Sequence, residues 1–546
     1  MRNFFRRLWI RRWVRWCVWM GVVVIASLVV VREYVDWSGR RRWAAVQEML
    51  AREGESLDFR KNLPDPVPDE LNFCAIPALK DLTSTPENND DNSDQGRKRM
   101  RFRNARLQDP RGNNPKDLAK ALALLSGTHF IKEFDAATVG YIPQPKLSQG
   151  ADLGKAIDMK AWAVWLRTGA SPASAGNPAK DVLTALSKND SLISDLALGL
   201  SRPDSQWTPA WKIRDVPADR YVIPVPLSGY SAVQALMPML CLCSEAATRA
   251  GDAAKAHESL LIVVRIDQAF MTEPFVIDTL VALGISSLIN GAVWELCDAH
   301  SGTAEDFRKL QEALLRLDFQ KSFLYAERGE LTFGTNASEY MKRIRDIPFA
   351  THDPNGHRLL RFGLRLIPDG WFDSNAAALA RLHFDYYIKP LRDAGLMELL
   401  AKQRELSALV AEQRSQLPYR HLDELLAVIT IPAFQNVTYK VVYTQCVVNE
   451  AIAACALERY RIEHGSYPDT LEAVNRAGER RIPLDVISGK AMGYRKTGDG
   501  RYALWCVGFD GKDDGGKRVL DKDNPERTRF SDPKYVGDWV WDFAGK

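Results

Sequence analysis

Residues 16–31 read WCVWMGVVVIASLVVV, sixteen positions without a charge, and their surroundings decide where the rest of the chain lies. Such a run falls a little short of the roughly 20 residues that cross a hydrocarbon layer. Snorkelling by Arg15 and Arg32, with Trp13 and Trp16 at the interface, covers the difference. Ahead of the run stand Arg2, Arg6, Arg7, Arg11, Arg12 and Arg15, with no acid among them. Positive charge of this kind stays on the cytoplasmic side and directs the C-terminal bulk outward. Arg40, Arg41 and Arg42 oppose that orientation, but the earlier cluster is larger and closer to the run. A cleaved signal peptide would place small residues after the apolar stretch, whereas this one ends Val-Val-Val-Arg-Glu-Tyr. Cys17 comes after Arg15 and Trp16 and so lacks the small residues of a lipoprotein site. Phe4 to Val14, rich in Trp and Arg, has the composition of an interfacial helix extending the anchor. The expectation is a cytoplasmic basic tail over 1–12 and a transmembrane anchor over 13–31. The protein is then single-pass in a bacterial cytoplasmic membrane, N-terminus inside and bulk periplasmic.

A chain of 546 residues suits about three or four domains, and 46% hydrophobic against 26% charged residues is enough to build a core. The net charge of +4 is concentrated near the N-terminus and around residue 100. That distribution argues against nucleic acid as a partner. Eight cysteines without a Cys-x-x-Cys pair are too sparse for a disulfide scaffold or a zinc motif. Cys446 and Cys455 share one expected helix about 13 Å apart, too far for a bridge. Buried free thiols are the expectation for the set.

Outward from the anchor, residues 32–115 form a juxtamembrane segment and linker. Trp37 to Glu53 has the composition of a polar helix, and Pro64, Pro66 and Pro68 break any helix beyond it. Ser84 to Pro115 is rich in Asn, Asp, Arg and Pro and is expected to be disordered. Its basic run, Arg97 to Arg106, reads as a solvated loop. Residues 116–222 are mixed, with helical spacing in Lys116–Leu125 and Ala179–Leu200. Residues 223–432 read as an irregular array of helical hairpins. Gly251 stops one helix, Asp252 caps the next, and Thr303 with Asp306 forms a capping arrangement for another. Further helices are expected around Asn336–Arg345, Ser374–Leu391 and Gly395–Leu417. Residues 433–546 make a small α+β module. It has a long helix from about Ala433 to His464, a stop at Gly465 and Pro468, a turn at Gly498-Asp-Gly500, and a strand over Arg501–Gly508 with Tyr502, Leu504 and Cys506 on one face. The fold class is therefore mainly α, with a transmembrane helix at one end and an antiparallel sheet at the other.

Glu458-Arg-Tyr460, Gly465-Ser-Tyr-Pro468 and the Gly508-Phe-Asp-Gly511 loop succeed one another in an order that resembles the C-terminal half of the major pseudopilin of type II secretion systems. The resemblance spans about a fifth of the chain, from Ala433 onward. It implies protein partners of the envelope, secretion components among them, and a calcium-binding acidic loop with Asp510, Asp514, Asp521 and Asp523 as ligands. Clustered carboxylates between glycines suit a hard cation that takes several oxygens, although their spacing is not that of an EF-hand. The family carries its long helix at its own N-terminus, embedded in the membrane. Here the helix begins more than 400 residues in and its first half holds Gln435, Asn436, Lys440, Gln445 and Asn449, so pilus-like assembly is not implied. The whole layout also resembles large membrane proteins of planctomycete and verrucomicrobial bacteria, a likeness that supplies no activity.

No phosphate-binding loop, His-Glu-x-x-His or Gly-x-Ser-x-Gly elbow occurs. His352-Asp353-Pro-Asn-Gly-His357 gathers two imidazoles and a carboxylate, but on a turn whose ordinary reading is a solvated loop. Glu327 and Glu330 lie one helical turn apart and have the spacing of an acid/base pair, though a charged helix face has the same spacing. The expected function is a membrane-anchored scaffold or interaction protein without catalytic residues. The alternative is an envelope hydrolase with its site among the helices, near Glu327, Glu330 or His352.

Overall fold

The computed structural model describes residues 2–79, 145–166, 176–207, 230–345, 362–416, 422–475, 482–525 and 528–543. The chain is mainly helical, with an apolar N-terminal helix and a three-stranded antiparallel sheet near the C-terminus. The expected linker over Ser84–Pro115, the helix over Lys116–Leu125 and the His352–His357 turn lie outside the described residues.

Helix α1 (Arg2–Arg52) is one unbroken element of 51 residues, about 76 Å long. Anchor and juxtamembrane helix, separate in the sequence reading, are thus continuous. From Trp13 to Val31 its side chains are exposed, including Trp16, Trp19, Ile25 and Val30. Burial begins at Val35 and recurs at Asp36, Gly39, Trp43, Val46 and Leu50, a 3–4 spacing that makes one face. That face lies against α10 (Asp369–His383). The helices meet glycine to glycine. A Cβ at Gly39 would overlap the backbone of Gly370, and one at Gly370 would overlap Val35 and Asp36. Asp36 Oδ1 accepts the Gly370 amide at 2.7 Å and so caps α10 from a different helix, since Pro368 supplies no side-chain cap. Below the glycines, Val46 and Leu50 join Leu331, Ala377, Ala380, Phe384 and Ile388 in a small apolar cluster. Arg328 then grips Glu55 with two bonds of 2.8 Å. Docking starts four residues, about 6 Å of helix, beyond the apolar run.

The body is a helical array sharing one large core with the C-terminal sheet. Helices α2 (Met159–Leu166), α3 (Pro178–Leu186) and α4 (Asp190–Leu198) flank the hairpin of α5 (Tyr230–Ala250) and α6 (Ala253–Phe270). The hairpin turns at Gly251 (φ 84°), and Asp252 caps α6 through the Lys255 amide at 3.1 Å, as the sequence indicates. Next come α7 (Val276–Asp298) and α8 (Ala304–Leu314), the latter opened by a full Thr303/Asp306 capping box. Both pack on α12 (Leu425–His464), with α9 (Phe319–Ile344), α10 and α11 (Leu396–Gln416) completing the array. Two boundaries differ from expectation. Helix α9 starts at Phe319 and continues through Gly329 and Gly334, because the first sits on the Pro274 backbone and the second on Leu379, where a side chain has no room. Helix α12 begins at Leu425 and runs through Pro432.

Helix α12 ends at Gly465 (φ 79°), and the chain returns as strands β1 (Gly493–Lys496), β2 (Tyr502–Cys506) and β3 (Trp539–Trp541), in that spatial order. Tyr502, Leu504 and Cys506 share a face as expected, but Ala503 and Trp505 are buried as well. The second face is closed by the loop after β2, where Asp513 Oδ1 accepts Trp505 Nε1 at 2.9 Å. The sheet is tied to α7 by Trp294, which donates to the Asp542 carbonyl at 2.9 Å and stacks on Phe543.

The α1–α10 contact gives the first prediction. Gly370→Val forces the helices apart and lowers stability by about 1–3 kcal/mol, and Asp36→Ala by about 1 kcal/mol. Gly21→Val, with open space around it, leaves the thermal midpoint unchanged. Thermal unfolding in detergent followed by circular dichroism reads all three.

Candidate functional site

Asp318 caps α9, and the helix turns Glu327 inward with Phe319, Phe323 and Ala326. There Glu327 Oε2 lies 2.7 Å from Nδ1 of His383, the last residue of α10, and both side chains are buried. The imidazole stands edge-on to Phe434 of α12 at 4.9 Å and beside Tyr387 at 5.8 Å. A π-turn over Phe384–Ile388 comes directly after His383. His383, Phe384, Tyr387 and Ile388 are all buried along this turn. Burial raises the Glu327 carboxyl above its ordinary range, against the opposing pull of His383. Glu327 Oε1 and the Tyr387 hydroxyl have no hydrogen-bond partner among the described residues. The His–Glu–Tyr set carries the parts of acid–base chemistry, but in this conformation neither His383 nor Glu327 reaches solvent.

Glu330 has a separate task. Its Oε1 accepts the Val276 amide at 3.0 Å and supplies the N-terminal cap of α7 that Phe275 does not. Burial raises its carboxyl from the ordinary 4.5 to about 7. The two glutamates share a helix face, yet each serves a different neighbour.

A cavity of about 210 Å³ opens where α1 meets the body, lined among others by Trp43, Gln47, Asn336, Glu339 and Asp373. Asp373 is buried and takes Lys342 Nζ at 2.8 Å on one oxygen, leaving Oδ2 without a hydrogen-bond partner among the described residues.

In the acidic loop, Asp510, Asp514, Asp521 and Asp523 are all exposed. Asp510 accepts the Lys512 amide, and Asp521 accepts the amides of Asp523 and Asn524. Asp514 points its amide at Asp538, a buried carboxylate that also collects the amides of Gly516 and Lys517. Asp538, which the sequence reading did not single out, organises this loop. The one described group of three or more Cys, His, Asp or Glu whose ligand atoms lie within 4.8 Å of one another is elsewhere: Cys446, Asp485 and Cys506. All eight cysteines are free thiols, Cys17 exposed and seven buried.

No protein-family profile matches this sequence, and comparison with curated proteins and with solved structures finds no match.

The buried carboxyls make stability depend on pH. Glu330 holds a proton in the folded state that it gives up on unfolding, so stability falls as pH rises from about 4.5 through about 7. Glu330→Gln keeps the oxygen that caps Val276, flattens this decline and stabilises the protein at pH 8 by about 1–2 kcal/mol. His383→Ala strands Glu327 in the core and destabilises by about 3–5 kcal/mol. Denaturant midpoints across pH 5–8 check both.

Proposed function

We propose that the protein is a single-pass, membrane-anchored platform, its N-terminus in the cytoplasm and its body held in a fixed pose against the outer face of the membrane, where it binds protein partners of the envelope. The observation that carries this reading is α1: one helix whose exposed apolar stretch suits lipid and whose next turns are buried in the body. A helix without a break transmits orientation, so the body is oriented as well as tethered.

Two further helices, α7 and α12, are long and apolar enough to cross a membrane. Their surroundings favour the interior of the body. Glu295 and Asp298 of α7 are buried and take Arg249 of α5 at 2.6 and 2.9 Å. On α12, Glu450 accepts the Cys506 amide of the sheet and Asn449 donates to the Leu484 carbonyl. Charges placed this way serve protein neighbours and are costly in lipid. The arginines ahead of the apolar run favour an inside N-terminus. The pseudopilin resemblance of the C-terminal module points to secretion components as the class of partner.

A phosphatase that is active only outside the cytoplasm, fused after Lys546, tests the topology. Activity at the cell surface or in the periplasm, with the protein retained in the membrane after alkaline carbonate, is the expected result. An inactive phosphatase together with a fluorescent cytoplasmic reporter at the same position overturns it.

A further inference from the structure

The cysteines are spaced too widely to suggest a metal site in sequence, yet folding sets two of them side by side. Cys446 lies on the inward face of α12, Cys506 ends β2, and Asp485 sits in the turn that leads to the sheet. The two sulfurs and a carboxylate oxygen fall within 4.8 Å of one another, and all three residues are buried. Asp485 is held in place by its own contacts. It accepts the Ile487 amide at 2.9 Å on one oxygen, and the Ser488 hydroxyl at 2.7 Å and the Val507 amide at 3.2 Å on the other. Glu450 stands one helical turn beyond Cys446, fully buried, and its Oε1 accepts the Cys506 amide at 3.0 Å. Its Oε2 is buried with no hydrogen-bond partner among the described residues.

Two thiols and two carboxyls in a closed interior make a donor set that a divalent cation can use. The field of Arg518 reaches Glu450, but its guanidinium goes to the Val540 carbonyl and to Asp542. A tetrahedral zinc ion with sulfur at about 2.3 Å and oxygen at about 2.1 Å places its ligand atoms roughly 3.5–3.8 Å apart. The three grouped residues need a contraction on the order of 1 Å to reach that geometry, and Glu450, whose carboxylate lies outside the 4.8 Å group, needs a side-chain rotation that brings Oε2 inward. Soft thiolates beside carboxylates match zinc better than the hard cations that want oxygen alone.

We propose that Cys446, Cys506 and Asp485, with the unpartnered Oε2 of Glu450 as the fourth ligand, form a structural zinc site. Binding releases the two thiol protons and the proton that burial keeps on Glu450 to solvent, the zinc ion sheds its bound waters, and two sulfur–zinc and two oxygen–zinc bonds form. All four positions come from the protein, so the ion has no open position for a substrate and works as a staple between α12, β2 and the turn before the sheet. The amides and hydroxyl on Asp485 are the outer contacts that orient a ligand.

The full-length protein, purified in detergent with thiol protection, is stripped with chelator and titrated with zinc and with cobalt. The expected results are one zinc per chain by elemental analysis, a cobalt spectrum with sulfur charge-transfer and tetrahedral bands, and a higher melting temperature with zinc. Glu450→Gln retains the bond to the Cys506 amide and weakens zinc binding by roughly 10- to 100-fold without unfolding the chain. Cys506→Ser weakens the cobalt charge-transfer band, since Cys446 alone then supplies sulfur, and Cys455→Ser, a buried thiol of the same helix outside the group, leaves it intact. Three outcomes overturn the proposal: no stoichiometric zinc, a cobalt spectrum unchanged by Cys506→Ser, or a Cys446–Cys506 disulfide in peptides from unreduced protein.

Discussion

The bond between the Asp36 carboxylate and the Gly370 amide, set in the glycine contact of α1 and α10, marks where the exposed apolar stretch of α1 gives way to its buried face. On one side α1 is shaped for hydrocarbon; on the other it is a core helix with a buried stripe. Neither half alone says much about function. An apolar helix can hang on a flexible tether, and a docked helix can belong to any soluble array. Their continuity across a few residues removes the tether, because bending an unbroken helix requires a kink, and the one kink-prone pair at this junction, Ser38–Gly39, is packed against the Gly370 backbone. Glycine on both helices lets the backbones approach until an acid on one caps the other.

Behind that junction the body is organised by buried polar contacts as much as by apolar packing. Glu327 with His383 joins α9 to α10, Glu330 caps α7, Arg249 links α5 to two acids of α7, and Glu450 reaches from α12 to the sheet. Each contact is made between elements distant in the chain. Apolar side chains alone would allow helices of similar composition to slide past one another, and these directional bonds fix their register.

Much of the local structure was legible in the sequence, for a physical reason: caps and stops are decided by neighbours within one turn. Asp252, the Thr303/Asp306 box and Gly465 all perform the roles their positions suggest. Helix α9 runs through Gly329 and Gly334, which the sequence alone does not place in a helix. They are weak helix formers retained where tertiary packing overrides propensity, and a single sequence does not show what they face. The Glu327–Glu330 spacing was visible, but His383 stands 56 residues from its partner and nothing near it marks the pairing. The same holds for Cys446 and Cys506, 60 residues apart, which no spacing rule connects. The orienting role of Asp538 is hidden because its meaning lies in the loop it gathers rather than in its own neighbours.

The central claim is that membrane anchor and body move as one piece. Spin labels at Tyr34→Cys, in the turns where α1 leaves the apolar run, and at Met397→Cys, exposed on α11, report it directly once Cys17 is replaced by serine, since the remaining thiols are buried. Pulsed dipolar spectroscopy in lipid nanodiscs should give one narrow distance distribution that Gly370→Val broadens. A broad distribution in the unsubstituted protein would mean that the body swings freely from its anchor and would contradict the account.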